Sequence, residues 1–251
     1  MLIDTNASFG HWPFARLPKR TLTALETHLT KNGIGHALIS HLETLFTPDP
    51  HPYNLELIKA TKRYDRFTPV PVLNLYNPDW LEGLETYRKK TDLKAVKIYP
   101  NFHNYSLNSG RVNALIRYLS EHGIRLIINV RMLDERHQYF GLKVNGVPLK
   151  QLAGIGERFP EFRFLCTGLY RPEIFELADQ CETFSTDMSF ADWHDLINEL
   201  LKKLSPDRLF FGSHTPLMVT KANTMKLEVA PISAKLKKQI GQGNAKKFFK
   251  L

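Results

Sequence analysis

The sequence has few cysteines and no long apolar run. Only Cys166 and Cys181 are present among 251 residues, and both lie in strand-like apolar segments rather than in a spaced framework. This usage is typical of buried thiols in a reducing compartment. No stretch of about 18 consecutive apolar residues occurs, so we expect no membrane span. The chain also does not open on a basic segment followed by an apolar run, and we expect a cytoplasmic protein without a signal peptide.

The common motifs of several enzyme classes are missing as well. The chain has no Cys-x-x-Cys pair, no glycine-rich phosphate loop, no His-Glu-x-x-His helix and no Gly-x-Ser-x-Gly elbow. These absences argue against a zinc finger, a nucleotide-binding domain, a zincin and an α/β-hydrolase. What remains is the position of polar side chains along the predicted elements.

The net charge of +9 does not by itself define a partner. Much of the excess lies near the C-terminus, in a helix-like stretch that we interpret as a solvated helix face. We therefore expect no nucleic-acid partner and no membrane partner. At most, the charge favours anionic small substrates through long-range steering.

Eight short apolar runs alternate with amphipathic segments along the chain. Most runs are continuously apolar, which is typical of parallel strands covered on both faces. The predicted strands are residues 2–6, 35–40, 68–75, 93–99, 124–130, 162–168, 182–188 and 208–212. The predicted helices are residues 22–32, 54–64, 79–89, 108–123, 149–159, 172–180, 192–204 and 234–251. This alternation predicts a single-domain (β/α)8 TIM barrel over residues 1–251.

Chemistry in such a barrel lies at the C-terminal ends of the strands. The first strand ends in Asn6 and Ser8, which are two residues apart and therefore point to the same face. A His-x-His pair at this place would hold a metal ion. This chain offers an amide and a hydroxyl instead.

The fourth strand carries Lys97, followed by Asn101 and His103 in the next loop. An ammonium that points into a barrel needs an anionic partner, because desolvating it alone is too costly. The alternative is that Lys97 points outward and forms an ion pair with a helix. His103 could serve acid–base chemistry at the same rim.

The fifth strand and its loop bring Asn129, Arg131, Asp134 and Arg136 to the rim. Guanidinium groups bind carboxylates through two parallel hydrogen bonds, which predicts an anion-binding function. The alternative is a loop held in shape by its own salt bridges, such as one between Asp134 and Arg131.

The last two strands end in Asp187 and His214. A histidine at the end of a buried strand can act as a base, an acid or a ligand, because its proton equilibrium lies near neutrality. A hydrogen-bonded structural histidine is an equally good interpretation of His214.

Five strings in this order resemble the amidohydrolase superfamily, in particular its branch of small-ring lactonases and metal-dependent decarboxylases. The strings are residues 3–8, 96–100, 163–168, 208–216 and 243–249. The resemblance covers almost the whole chain. It implies a barrel fold and a site at the strand ends.

The departures from the family pattern fall on its metal ligands. Asn6 and Ser8 stand where the resemblance implies two histidines, and Cys166 stands near an expected third. Asn129 and Arg131 replace a fifth-strand histidine, and His214 replaces the eighth-strand aspartate. Because nearly all the ligands that the resemblance implies are replaced, we expect the family's metal-activated water to be absent.

Our leading hypothesis is a hydrolase or lyase for a small polar substrate that bears a carboxylate or is a lactone, working without a cofactor. The predicted catalytic residues are His214, Asp187 and His103. The predicted substrate-binding residues are Asn6, Ser8, Lys97, Asn101, Asn129, Arg131, Asp134, Arg136 and Cys166.

Two alternatives remain at this point. One is a catalytically retired barrel that binds a metabolite or a protein. The other is a hydrolase with zinc or another divalent metal in a rebuilt site, drawn from His11, His41, His103, His137, His214 and Asp187. A homo-oligomer is left open.

Overall fold

A computed structural model of the chain describes residues 1–18, 21–137, 141 and 143–251. The strands are β1 Leu2–Phe9, β2 Ile34–His41, β3 Phe67–Pro69, β4 Val72–Leu73, β5 Ala95–Ile98, β6 Arg125–Asn129, β7 Phe164–Thr167, β8 Phe184–Asp187 and β9 Leu209–Phe210. The helices are α1 Leu22–Lys31, α2 His51–Thr61, α3 Trp80–Lys90, α4 Gly110–His122, α5 Leu149–Arg158, α6 Arg171–Gln180, α7 Leu196–Leu201, α8 Thr220–Glu228, α9 Ala234–Lys238 and α10 Asn244–Phe249.

The strands are parallel and follow chain order around a closed barrel. One ladder runs through β1, β2 and β3, and a second runs from β4 to β9. Backbone hydrogen bonds join the two ladders on one side, from Val70 N to Ile39 O (2.8 Å) and from Lys97 N to Pro71 O (2.9 Å). On the other side, Ser8 N donates to Thr215 O at 2.8 Å. The predicted (β/α)8 TIM barrel is confirmed.

The third predicted strand, residues 68–75, is divided into β3 and β4. Pro71 lies between the two pieces and has no N–H to donate to a ladder. Eight apolar runs therefore correspond to nine strands within the described residues.

Several helix predictions were wrong in their bounds. Helix α2 begins at His51 rather than at residue 54, and α7 covers only Leu196–Leu201 of the predicted 192–204. The predicted helix 234–251 is divided by a π-turn over Gln239–Gly243. Helix α8 was not predicted, because it buries Asn223 and Thr224 and so lacks an apolar stripe.

An apolar layer fills the barrel interior towards the N-terminal ends of the strands. Phe210 of β9 packs there against Phe248 and Phe249 of α10, which closes this end of the barrel. The other barrel residues of the layer lie on the strands or, for Val70, between β3 and β4: Ile3, Leu38, Val70, Ala95, Ile127 and Leu165.

An aromatic cap covers the opposite end, where the strands finish. Buried side chains of Trp12, Leu42, Leu45, Val72, Tyr99 and Met132 form this cap. Phe46 lies over Trp12 with its ring centroid 5.3 Å away. The barrel interior between the apolar layer and the aromatic cap is therefore shielded from solvent. Among the described residues, every helix is too short or too polar to cross a bilayer.

Candidate functional site

Four polar side chains meet beneath the aromatic cap, three from strands β1, β5 and β8 and one from the segment after β9. We call them the polar cluster: Asn6, Lys97, Asp187 and His214. Asn6 lies at the centre. Its Nδ2 donates to Asp187 Oδ2 (2.9 Å) and to His214 Nδ1 (3.1 Å), and its Oδ1 accepts from Lys97 Nζ (3.3 Å). None of the four is more than 4% exposed.

Strand alternation explains why Lys97 points into the barrel. Ala95 and Lys97 are two residues apart on β5, so their side chains share a face. Ala95 belongs to the apolar layer inside the barrel. The same alternation places Asn129 of β6 inward, because Ile127 also belongs to that layer.

The hydrogen bonds of His214 define its tautomer. Its Nε2 lies 2.7 Å from the carbonyl oxygen of Met132, which can only accept, so Nε2 carries the proton. Nδ1 then accepts from Asn6. Burial, helped by the Lys97 charge and opposed by the hydrogen bond to Met132, lowers the pKa of His214 to about 4, so the ring is neutral at pH 7.

Two buried carboxyl groups accompany the cluster. Asp187 accepts from Ser189 Oγ at 3.0 Å, and burial raises its pKa. Asp4 accepts from Ser213 N (2.9 Å) and Asn6 N (3.0 Å), and burial raises its pKa to about 6. Both groups are therefore easier to protonate than exposed carboxyls.

The Lys97 ammonium is only partly satisfied. Among the described residues, its one hydrogen bond is the one to Asn6, although an ammonium has three donors. Burial lowers the pKa of Lys97 to about 8, against the opposing charges of Asp187 and Asp4. In the part of the chain that the structure describes, the buried Tyr99 Oη and Asn129 Oδ1 also lack hydrogen-bond partners.

Arg131 is held by protein groups. Its guanidinium binds Glu173 through two bonds of 2.5 and 2.6 Å, donates to Gly168 O at 2.6 Å and pairs with Glu135. Tyr170 stacks on it with the ring centroid 4.0 Å from Cζ. Burial opposes the charge on Arg131, but the carboxylates of Glu173 and Glu135 outweigh it and raise its pKa. Together these contacts fix the loop after β6.

The other predicted loop residues lie outside the polar cluster. Arg136 pairs with Asp134 at 2.5 Å on the surface, and Asn101 donates to the carbonyls of Val130 and Asn145. His103 Nε2 lies 3.0 Å from Thr44 O. Among the described residues, no hydrogen bond joins any of them to Lys97 or His214.

Two further predicted residues differ in their orientation. Ser8 shares the face of Asn6 by alternation along β1. Cys166 packs in the core between the strands and the helices. Its neighbour Thr167 points inward instead, and Thr167 Oγ1 accepts a hydrogen bond from Asn129 Nδ2 at 3.2 Å. We therefore leave Cys166 out of the site.

The sequence analysis missed Asp4, Ser189, Tyr99 and Glu173. The position of Asp4 within the apolar first strand was a signal, because aspartate is rarely buried unless its carboxyl group has partners. Ser189 follows Asp187 by two residues. Nothing in the sequence pairs Glu173 with Arg131, which is 42 positions away.

The family follows from a comparison with family models. Residues 51–251 match the model described as Amidohydrolase. The chain belongs to the amidohydrolase family. A comparison with curated proteins gave no match.

Similar solved structures agree on the fold. The chain is similar to 5-carboxyvanillate decarboxylase LigW from Sphingomonas paucimobilis, with 13% identity, coverage of 100% of this chain and 99% of that one, and a TM-score of 0.78. It is similar to 2,6-dihydroxybenzoate decarboxylase from Rhizobium, with 12% identity, coverage of 99% and 98%, and a TM-score of 0.79. A 5-carboxyvanillate decarboxylase from Novosphingobium aromaticivorans, solved with manganese, has 15% identity, coverage of 100% and 96%, and a TM-score of 0.77.

The polar cluster of this amidohydrolase-family chain does not fit a divalent metal. Its centre is an amide that donates to Asp187 and His214, so the two groups able to ligate a metal already accept hydrogen bonds. The Lys97 ammonium supplies positive charge at the same place. Within the described residues, no three His, Cys, Asp or Glu side chains gather as a metal site.

The rebuilt metal site finds no support from the residues that the structure describes. His41 pairs with Glu43 at 2.8 Å, and His103 bonds to the Thr44 carbonyl. His11 is exposed. The side chain of His137 lies outside the described part of the chain.

Proposed function

We propose that this chain is a lyase for a small carboxylate-bearing molecule, and that its Lys97 ammonium takes the role of a metal ion in binding the carboxylate. The observation that carries the proposal is the partly satisfied ammonium of Lys97 between the carboxyl groups of Asp187 and Asp4. Two of its three N–H donors remain for a ligand. The decarboxylases of similar fold act on carboxylates, which agrees with this substrate class.

The acid–base groups of the cluster suit decarboxylation. In this reaction a C–C bond breaks, carbon dioxide leaves, and the carbon takes up one proton. In our proposal Asp187, whose pKa burial raises, takes up a proton when the substrate carboxylate enters beside Lys97, and it is then the proton donor. His214 is neutral and accepts through Nδ1, so it orients the Asn6 amide rather than donating a proton.

The proposal also assigns the remaining side chains. Tyr99 Oη and Asn129 Oδ1 can donate to and accept from a hydroxyl or carbonyl of the substrate, because both are buried without partners among the described residues. Arg131 positions the loop after β6. Hydrolysis of a lactone is the second reaction type to test.

Turnover by metal-free protein tests the proposal. The protein is treated with a chelator, checked for residual metal, and assayed for carbon dioxide release from 2,6-dihydroxybenzoate and 5-carboxyvanillate and for hydrolysis of small lactones. We expect the protein to turn over at least one carboxylate, and we expect EDTA to leave the rate of this reaction unchanged. Lys97→Met should lower it about a hundredfold or more, because the charge that binds the carboxylate is lost.

Lys94→Met is the matched control. Lys94 lies just before the same strand, at the opposite end of the barrel, and pairs with Asp92 at 2.6 Å. We expect Lys94→Met to retain wild-type turnover. Activity that appears only with added manganese, or equal activity in Lys97→Met, would refute the proposal.

A binding protein without catalysis is the second candidate, and the aromatic cap favours it. The cap shields the polar cluster, since Trp12 is 3% and Tyr99 0% exposed. This candidate predicts saturable binding of the same acids in calorimetry, reduced by Lys97→Met, with no product from any member of the panel.

A further inference from the structure

Apart from the polar cluster, the protein has a surface cleft beside the aromatic cap, at the loops that follow β6, β7 and β8. Its volume is about 410 Å³. Tyr170 and Trp193 form its walls together with Arg171, and Phe190 lies at its base. We call it the Trp193 cleft. Trp193 is 50% exposed, which is unusual for a large aromatic side chain.

Arg171 is the unpaired charge of the Trp193 cleft. No carboxylate among the described residues contacts its guanidinium. The other charged groups of the cleft have partners: Arg136 pairs with Asp134 at 2.5 Å, Glu135 with Arg131 at 3.1 Å, and Asp192 with Lys226 at 2.8 Å. Arg171 is therefore the one charged group lining the cleft whose charge no ion pair among the described residues engages, although Glu135 shares Arg131 with Glu173.

Aromatic contacts hold the Arg171 guanidinium in place. Its Cζ lies 4.1 Å from the ring centroid of Trp193 and 5.1 Å from that of Phe175. Stacking uses the faces of a guanidinium and leaves its N–H edge for hydrogen bonds. Such an edge binds a carboxylate through two parallel bonds, and the neighbouring indole offers a flat surface to the rest of the ligand.

Phe190 connects this cleft with the polar cluster. Its ring lies 6.1 Å from that of Tyr170 and 5.0 Å, edge-on, from that of His214. One buried side chain therefore separates the cleft from the Asn6–His214 contact. A path past the Phe190 side chain would leave the aromatic cap intact.

We propose that the Trp193 cleft binds planar aromatic carboxylates through Arg171 and admits them to Lys97 past Phe190. The destination of this path rests on the proposed function, whereas the binding step does not. Phe190 is a gate and Arg171 an anchor. Neither is a catalytic residue.

Calorimetry with benzoate tests the anchor. Wild-type protein should bind benzoate, and benzamide, which lacks the charge, should bind about tenfold more weakly. Arg171→Gln should weaken benzoate binding about tenfold. Arg163→Gln is the matched control, because Arg163 is an exposed guanidinium paired with Asp207 away from the cleft. Equal benzoate affinity in wild type and Arg171→Gln would overturn the proposal.

Reductive methylation of Lys97, read by mass spectrometry, tests the gate. Phe190→Ala should increase the labelling rate of Lys97 severalfold, and benzoate should protect it. Phe46→Ala, which thins the aromatic cap instead, should leave the rate unchanged. Faster labelling in Phe46→Ala but not in Phe190→Ala would place the entrance at the cap and contradict the gate.

The two proposals fail in different ways. If benzoate binds through Arg171 and Phe190→Ala exposes Lys97, but no panel acid turns over, the cleft is correct and the proposed reaction is wrong. If turnover depends on Lys97 but Arg171→Gln binds benzoate normally, the reaction stands and the cleft is not the entrance.

Discussion

The barrel interior contains two layers that are equally buried and chemically opposite. Phe210 in the apolar layer is 1% exposed, and Lys97 in the polar cluster is also 1% exposed. Burying a phenyl ring stabilises the fold, whereas burying an ammonium costs free energy unless its partners compensate. The apolar layer therefore explains stability, and the polar cluster needs another explanation. Function at the strand ends is the explanation we propose.

The largest effect should come from the apolar layer. Phe210 packs against the rings of Phe248 and Phe249, with centroids 5.4 and 6.4 Å away. Phe210→Ala leaves a cavity between β9 and α10, and we expect the free energy of unfolding to fall by about 3–5 kcal/mol. Urea denaturation measures this loss. A loss below about 1 kcal/mol would mean that α10 does not close the barrel as described.

The two layers also differ in how far the sequence predicts them. Apolar runs predicted the strands, and with them the apolar layer, because residues such as Ile127 and Leu165 must be buried whatever their partners are. The division of the third strand at Pro71 and the helix α8 were not predicted. Hydrophobic periodicity cannot show that a proline interrupts a strand, or that a helix buries a polar side chain such as Asn223.

The polar cluster was predicted only as a set of strand ends. The sequence indicated Asn6, Lys97, Asp187 and His214 as candidates, yet their hydrogen bonds span up to 208 positions. It did not indicate that Glu173 would bind Arg131, or that Tyr99 would help to cover the site. Such pairings depend on loop conformations that no local pattern specifies.

The second prediction concerns the pH dependence of stability. Burial lowers the pKa of Lys97 from its ordinary value of 10.5 to about 8 in the folded protein. Between these values the unfolded chain binds the proton and the native protein does not, so this group makes stability rise with pH. The full rise amounts to about 3 kcal/mol.

Comparison with Lys97→Met isolates this contribution. Denaturation is measured from pH 7.5 to 9.5, below the range in which tyrosines of the unfolded chain ionise, and the difference between wild type and variant is plotted. Wild type should gain stability relative to Lys97→Met as the pH rises. A stability difference that does not change with pH would show that Lys97 keeps its ordinary pKa. Its partners would then offset the cost of burying the ammonium more fully than the contacts indicate.

The smallest expected effect is the difference between two serine hydrogen bonds, one to a charged group and one to a neutral group. Ser189 Oγ donates to the carboxyl of Asp187 at 3.0 Å, whereas Ser40 Oγ donates to the carbonyl of Val70 at 3.1 Å. We expect Ser189→Ala to lower the free energy of unfolding by about 2 kcal/mol and Ser40→Ala by about 1 kcal/mol, because bonds to charged groups are stronger. Urea denaturation of both variants at pH 7 makes the comparison. Equal losses would indicate that Asp187 is already neutral in the unliganded protein, and the polar cluster would then hold its proton before any substrate arrives.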